Sequence, residues 1–133
     1  MRVANENLLV TDNGPAPADM SIAINFRPIW LGHIANFSIQ IFFTGSPVGT
    51  FKLQMSNDYG FNNSGSPNTP KEVLQTAKIT NWTDIVDSPL AVSAAGNVAW
   101  NFQNAGFEWV RVVYTPTSGT GTITSAKAKV KGV

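Results

Sequence analysis

Three aspartates, Asp58, Asp84 and Asp87, are the residues whose type and spacing could support chemistry in this chain. Ca²⁺ takes carboxylate and backbone carbonyl oxygens as ligands, so loops that carry these side chains could hold one ion. Asp and Asn side chains also stabilise turns by accepting hydrogen bonds from nearby backbone N–H groups. The sequence favours turn formation over calcium binding, and we predict neither a metal site nor a bound cofactor.

A catalytic set cannot be assembled around the single histidine, His33. Nucleophilic catalysis needs a nucleophile beside the base and an acid that orients the base, and no spacing in the sequence supplies both. The chain also contains no cysteine, which removes thiolate nucleophiles and thiolate metal ligands. We therefore predict a protein that is not an enzyme, in which His33 is structural or exposed.

Composition limits the classes of partner. Charged residues make up 13% of the chain and the formal net charge is +1, so no strong field attracts nucleic acid or an anionic membrane. No segment approaches the roughly 20 apolar residues that span a bilayer, and the N-terminus lacks the apolar run of a signal peptide. The absence of cysteine favours synthesis in the cytoplasm. We expect partners to be bound through shape and neutral polar contacts, without nucleic acid or membrane.

Aromatic residues are the next candidates for binding. Trp82 and Trp109 are predicted to pack in the core, because a buried tryptophan ring covers 150–250 Å² of apolar surface. Trp30 and Trp100 are candidates for a subunit interface, where tryptophan is enriched. Two further aromatics, Tyr59 and Phe61, begin a long loop and are also candidate interface residues.

Strict alternation of apolar and polar residues predicts strands. Residues 35–43 and 51–56 alternate clearly, and a loop with Gly and Pro at 44–49 separates them. Residues 107–115 and 121–131 form a second such pair. Short loops of this kind join antiparallel neighbours, so both pairs are predicted to be β-hairpins.

Other segments complete an all-β, antiparallel β-sandwich of 7–9 strands, which we expect to be jelly-roll-like. Weaker strand patterns cover residues 3–10, 20–26, 28–31, 81–86, 89–93 and 97–102. Residues 71–78 alone favour a helix, and we expect at most a short one there. The interpretation is an N-terminal strand or arm with a linker over residues 1–19, then one sandwich domain over residues 20–133 with an insertion at 59–78.

Two sets of cations need partners or solvent. Lys127, Lys129 and Lys131 share one face of the last strand and should point to water. Lysines of this kind protect an edge strand from pairing with other chains or are simply solvated, and this protective or solvated interpretation is favoured over contact with phosphate or an acidic neighbour. If Arg111 is buried, it should pair with a carboxylate or with backbone carbonyl groups.

Two families resemble parts of the chain. Residues 56–58, 81–83 and 109–111 (Ser-Asn-Asp, Asn-Trp-Thr and Trp-Val-Arg) resemble jelly-roll domains of the discoidin or galactose-binding type. Residues 34–132 resemble small structural proteins of tailed bacteriophages in five motifs, at residues 44–50, 56–58, 81–83, 92–96 and 110–121.

The phage resemblance implies a structural protein of the virion that is synthesised in the host cytoplasm. Its expected role is to decorate or cement the capsid by binding neighbouring capsid subunits or other virion proteins, as a homo-oligomer with a trimer favoured. The expected contacts are the N-terminal arm and the 59–78 insertion. The alternative is a carbohydrate-binding module or a host-recognition spike or tail component, a monomer that stacks Tyr59 and Phe61 on a glycan.

Overall fold

A computed structural model describes residues 3–11, 14–15, 18–32, 34–58, 61–63, 72–74 and 79–132. For residues 3–4, 10–11, 14–15, 61–63 and 72–74 the description covers the backbone alone. These parts contain strands and turns without a helix. The strands are β1 (Val3–Asn7), β2 (Val10–Thr11), β3 (Gly14–Pro15), β4 (Ile24–Asn25), β5 (Ile29–Trp30), β6 (Ile34–Gly45), β7 (Val48–Ser56), β8 (Phe61–Asn63), β9 (Glu72–Leu74), β10 (Thr83–Asp84), β11 (Leu90–Val92), β12 (Gly96–Phe102), β13 (Trp109–Ser118) and β14 (Gly121–Gly132).

Ten of these strands form two antiparallel sheets, which confirms the predicted β-sandwich and exceeds the predicted number of 7–9 strands, because the back-sheet edges are split into short strands. The front sheet has the order β1-β14-β6-β12. In the back sheet, β7 and β13 are central; β10 and β11 both pair with β7, and β4 and β5 both pair with β13. Each edge of the back sheet is therefore made of two short strands laid end to end, which is why the sequence patterns there were weak.

Both predicted hairpins are wrong. The strand β6 lies in the front sheet and β7 in the back sheet, so the loop between them crosses from one sheet to the other. The same holds for β13 and β14. Alternation assigned a buried face correctly for residues 35–43, 51–56 and 121–131 and left it open for residues 107–115, but it carries no information about which strand lies alongside.

The four long strands instead form one two-stranded ribbon folded across both sheets. Residues 34–45 pair with residues 121–132 in the front sheet, and residues 48–56 pair with residues 109–118 in the back sheet. At the corner where the ribbon bends, its two strands stay together, because the Ser46 N–H donates to the Thr120 carbonyl at 2.8 Å. Gly45 turns the corner with φ +90°, a conformation that side chains disfavour. Register shifts within β13 and β14 flank the corner and add the twist that a folded ribbon needs.

The main core lies between the sheets and is built from the inward residues of the ribbon. Phe51 of β7 is 0% exposed and sits at its centre, with its ring 4.6 Å from Tyr114 and 5.6 Å from Phe43. Tyr114 is equally buried, and its hydroxyl has no hydrogen-bond partner among the described residues. Burial raises the pKa of that hydroxyl.

The two ends of the sequence meet in the front sheet. The strand β1 pairs with β14, and the Leu8 N–H that follows donates to the Ala126 carbonyl at 2.8 Å. Leu8 is 1% exposed. Residues 3–8 of the segment interpreted as an arm are therefore part of the sandwich.

The insertion contains a small hairpin in place of a helix. The strands β8 and β9 pair with each other as a separate two-stranded sheet. Glu72–Leu74 is thus extended where the sequence predicted at most a short helix, because pairing with Phe61–Asn63 outweighs the local propensity. The remaining residues of the predicted helix lie outside the described residues.

Candidate functional site

The outer face of the back sheet carries a connected polar network. In one cross-strand row, Arg111, Gln54 and Asp84 lie side by side on β13, β7 and β10. The Arg111 Nε and Nη2 atoms donate to Gln54 Oε1 at 2.9 and 2.8 Å. Gln54 Nε2 donates to Asp84 Oδ1 at 2.8 Å, and Lys52 Nζ donates to Asp84 Oδ2 at 3.0 Å. Every charged end of this row is matched within the chain, so the row stabilises the sheet edge.

Arg111 has a different partner from the one predicted. Its guanidinium binds an amide oxygen, and its carbon Cζ lies 4.2 Å from the centre of the Trp82 ring. Partial burial lowers the pKa of Arg111. The predicted carboxylate is reached only through Gln54, because Asp84 stands one strand further away.

Asp58 closes the base of the insertion. Its Oδ2 accepts hydrogen bonds from the backbone N–H groups of Thr80 and Asn81, both at 2.8 Å, and its Oδ1 accepts from Asn81 Nδ2 at 2.9 Å. These bonds, led by the Asn81 side chain, hold the pKa of Asp58 below its ordinary value of 3.8. The two ends of the insertion are therefore held together by one carboxylate.

The calcium alternative finds no support in the geometry of these aspartates. Both carboxylate oxygens of Asp58 and of Asp84 already accept hydrogen bonds from N–H donors of the chain, and Asp87 occupies a turn with φ 64°. Within the described part of the chain, no three His, Cys, Asp or Glu side chains are grouped closely enough to hold a metal ion.

Replacing Asp58 with Asn should weaken the base of the insertion. At neutral pH we expect faster hydrogen exchange at the Thr80 and Asn81 amides, because a neutral amide accepts more weakly than a carboxylate. A lowered pKa stabilises the fold above pH 3.8 and loses that contribution as pH falls through the folded-state value. The stability that Asp58→Asn loses relative to the wild type should therefore be largest at pH 7 and should shrink below about pH 4. Asp87→Asn is the matched control and should leave both amides unchanged; equal effects of the two variants would contradict the assignment.

The tryptophans occupy three kinds of environment. Trp109 is 1% exposed, on the outer side of the back sheet, where its Nε1 donates to the Asp58 carbonyl at 3.1 Å. The core prediction is wrong for Trp82, which is half-buried on the same outer face and donates from Nε1 to the Ile79 carbonyl at 3.1 Å. Both therefore pack outside the main core, at the base of the insertion, where Trp109 bonds to the residue before it and Trp82 to the residue after it.

The two tryptophans predicted for an interface are both anchored within the chain. Trp30 is half-buried on the outer side of the back sheet, and its Nε1 donates to Glu108 Oε1 at 2.7 Å. Trp100 points inward from β12, with its ring centre 6.5 Å from that of Phe51 and its Nε1 donating to the Ser88 carbonyl at 2.8 Å.

Other predicted residues are described in part or not at all. The backbone of Phe61 belongs to β8, and its side chain lies outside the described residues, as do Tyr59 and His33. Their predicted roles stay predictions.

The outer face of the front sheet is exposed and carries the three C-terminal lysines. We call it the lysine face. Lys127, Lys129 and Lys131 all point to solvent, as their alternation predicted. The strand that carries them, β14, is paired on both sides, with β1 and with β6. Edge protection, one half of the favoured interpretation, is therefore wrong, because β14 is not an edge strand. The other half, solvated lysines, agrees with the exposure of all three side chains.

Neutral polar residues surround these lysines. Lys129 lies between Asn5 and Ser38, and Lys127 lies between Asn7 and Gln40. The ion pairs within the described residues join Arg27 to Glu6 and Lys52 to Asp84, so none of them involves the lysine face. Sequence reasoning placed Ser38 and Gln40 on a polar strand face but could not bring them beside the lysines, since β6 and β14 are far apart in the sequence.

Shallow depressions open on the lysine face. One of them, of about 440 Å³, is lined chiefly by Ser38, Gln40, Ala99 and Asn101 and contains no lysine. Two others contain lysines. One has a volume of about 280 Å³ and is lined chiefly by Asn36, Ser38, Asn101, Gln103, Lys129 and Lys131. The other, of about 320 Å³, is lined chiefly by Asn5, Ser38, Gln40, Lys127 and Lys129. Ser38 and Lys129 are common to both, so the depressions adjoin and form a continuous polar surface that combines positive charge with amide and hydroxyl groups.

Comparison with known proteins adds little to this description. No protein-family model and no curated protein matches the chain. Among solved structures, the chain is similar to the SPBc2 prophage-derived protein YomS, with 13% sequence identity and a TM-score of 0.45 over 97% of this chain and 92% of that chain. Similarity at that level transfers neither a site nor a function. The described residues contain no helix of the length and apolarity that a membrane crossing requires.

Proposed function

We propose that this chain is a non-enzymatic structural protein of a bacteriophage virion, which decorates the capsid by binding neighbouring capsid subunits. The sequence resemblance to small phage structural proteins supports the virion assignment. The observation that carries the decorating role is the insertion at 59–78, whose hairpin pairs with neither sheet and whose two ends are clamped by Asp58.

Two of the motifs that resemble phage structural proteins lie in strands and turns that build the sandwich. Residues 44–50 and 110–121 form the folded corner and the central back-sheet strand of the ribbon. Their side chains and glycines serve the fold. Contacts with a neighbour should then come from other elements, and the hairpin of β8 and β9 is an element of the described chain that pairs with neither sheet of the sandwich.

The geometry at the base of the insertion suits such a contact. Asp58 joins residues 58, 80 and 81, and the Trp109 indole donates to the Asp58 carbonyl, so the base is tied to the centre of the back sheet. A hairpin on a fixed base has less conformational freedom to lose on binding. On a capsid, many copies of a weak contact add up through the symmetry of the lattice.

A shortened variant tests the proposal. Because Asp58 bonds to Thr80, the ends of the insertion are close, and a short Gly-Ser linker can replace residues 59–78. Purified wild type should co-sediment with capsids of the parent phage to a fixed number of copies per capsid and should raise the temperature at which they rupture. The shortened variant should fold, because the core residues lie elsewhere in the described chain, and should lose capsid binding.

Two results would contradict the decorating role. One is binding of wild type to tails but not to capsids, and the other is undiminished capsid binding by the folded, shortened variant. The N-terminal segment is unsuitable for the same test, because removing residues 1–11 would delete β1 and the buried Leu8. The trimer remains a proposal, and light scattering on a size-exclusion column measures it directly.

A further inference from the structure

The lysines of the lysine face form no ion pair with the described residues. Lys127, Lys129 and Lys131 alternate along a central strand, so their Cα atoms are spaced by about 6.7 Å. Like charges at this spacing repel one another, and the residues beside Lys127 and Lys129 across the sheet are neutral. Protection of a sheet edge does not apply to β14. A row of cations that the fold neither pairs nor needs points to an external anionic partner.

The surroundings of the lysines indicate the chemistry of that partner. Asn5, Asn7, Gln40 and Asn101 are exposed amides on the same face, and Ser38 adds a hydroxyl. Amides and hydroxyls both donate and accept hydrogen bonds, which suits a ligand that is rich in hydroxyl groups. The partner should therefore carry repeated negative charges on a hydroxylated backbone.

The shape of the surface favours a linear ligand. The two depressions adjoin at Ser38 and Lys129, and each contains two lysines. Phe42, which is 40% exposed, lies in the next cross-strand row beside Ser125 and Asn97. A chain molecule could occupy both depressions in succession and place an apolar sugar face on the Phe42 ring.

Other macromolecules fit this face less well. Stable protein interfaces have an apolar core in which lysine and serine are depleted, whereas the centre of this face is lysine and serine. Single-stranded nucleic acid is bound through several aromatic side chains that stack on bases, and the rows that contain the lysines have none among the described residues.

We propose that the lysine face binds a linear anionic polysaccharide, with its acidic groups on Lys127, Lys129 and Lys131 and its hydroxyls on the neighbouring amides and Ser38. This site is distinct from the insertion and does not depend on the decorating role. It would allow the protein to attach a particle to an acidic glycan surface.

Binding to matched polymers tests the proposal. Isothermal titration calorimetry at low salt should detect binding of the purified full chain to polygalacturonate and to dextran sulfate. The same backbones without charge, fully methyl-esterified polygalacturonate and plain dextran, should not bind. The two charged polymers distinguish a preference for carboxylate from a preference for sulfate.

Three variants locate the site. The triple variant Lys127→Gln/Lys129→Gln/Lys131→Gln should bind at least about tenfold more weakly, since each exposed ion pair contributes a few-fold. It should melt no lower than wild type, because mutual repulsion has been removed. Lys52→Gln removes one charge from the opposite face and should leave the affinity unchanged. Asn101→Ala should weaken polygalacturonate binding while leaving any binding of polyglutamate unchanged.

Several outcomes would overturn the proposal. These are no binding to either charged polysaccharide, undiminished binding by the folded triple variant, or tighter binding of polyglutamate or of a DNA oligonucleotide than of either polysaccharide. Tighter binding of polyglutamate would assign the lysine face to an acidic protein, and tighter binding of DNA would assign it to nucleic acid.

Discussion

Replacing Phe51 with alanine is expected to lower the free energy of unfolding by about 3–5 kcal/mol, the range observed when a buried phenylalanine is truncated. Phe51 is fully buried on β7 of the back sheet. Its ring lies 5.6 Å from Phe43 and 6.5 Å from Trp100, both on the front sheet, and 4.6 Å from Tyr114 within its own sheet. One side chain therefore joins the two layers, and rigid strands on both sides prevent the cavity from closing.

Urea denaturation followed by tryptophan fluorescence measures this effect. Phe42→Ala is the matched control. Phe42 is next to Phe43 on β6, but its side chain points outward and is 40% exposed. We expect its cost to be at most about 0.5–1 kcal/mol. Similar losses for the two variants would show that the core is not centred on Phe51.

Gly119→Ala is expected to lower the free energy of unfolding by about 2 kcal/mol or more. Gly119 has φ +75°, and a side chain in that conformation alone costs roughly 1–2 kcal/mol. A Cβ atom there would also lie 2.2 Å from the Ser46 carbonyl oxygen on the facing chain. The two strands of the ribbon would have to separate at the corner where the ribbon passes from one sheet to the other.

The control for this change is Gly106→Ala, because an added Cβ at Gly106 meets no atom within 4 Å. Gly106→Ala should leave the urea midpoint of unfolding close to that of the wild type. Gly119→Ala should also lower the rate of refolding if the corner forms early. A stable Gly119→Ala variant would mean that the corner can rearrange, and hydrogen exchange at the Ser46 amide would then show whether its bond to Thr120 persists.

The glycines at this corner also account for part of the phage resemblance. Residues 44–50 and 110–121 contain Gly45 and Gly119, both with positive φ. The sequence suggested hairpin turns at these glycines. In the structure the same residues allow the two strands of the ribbon to bend together. This bend needs the same positive φ angles as a hairpin turn but produces a different topology.

On the candidate surfaces, too, the sequence predicted which side chains are exposed but not which residues lie beside them. Alternation along 121–131 was enough to predict that the lysines face water. Their place in the middle of a sheet depends on pairing with β1 and β6, which come from opposite parts of the chain. The network around Arg111 likewise draws Gln54, Asp84 and Trp82 from separate segments, so its amide partner could not be read from the residues beside Arg111.

The amino-acid sequence by itself determined that this protein is all-β, which side chains are buried in three of the four long strands, and that the C-terminal lysines are exposed. These properties follow from local alternation, because successive side chains of a strand point to opposite faces. Only the tertiary structure decided which strands pair, that the apparent hairpins are corners of one folded ribbon, and that the lysines stand among neutral amides. Strand pairing depends on contacts between residues far apart in the sequence, and those contacts become definite only when both sheets close over a common core.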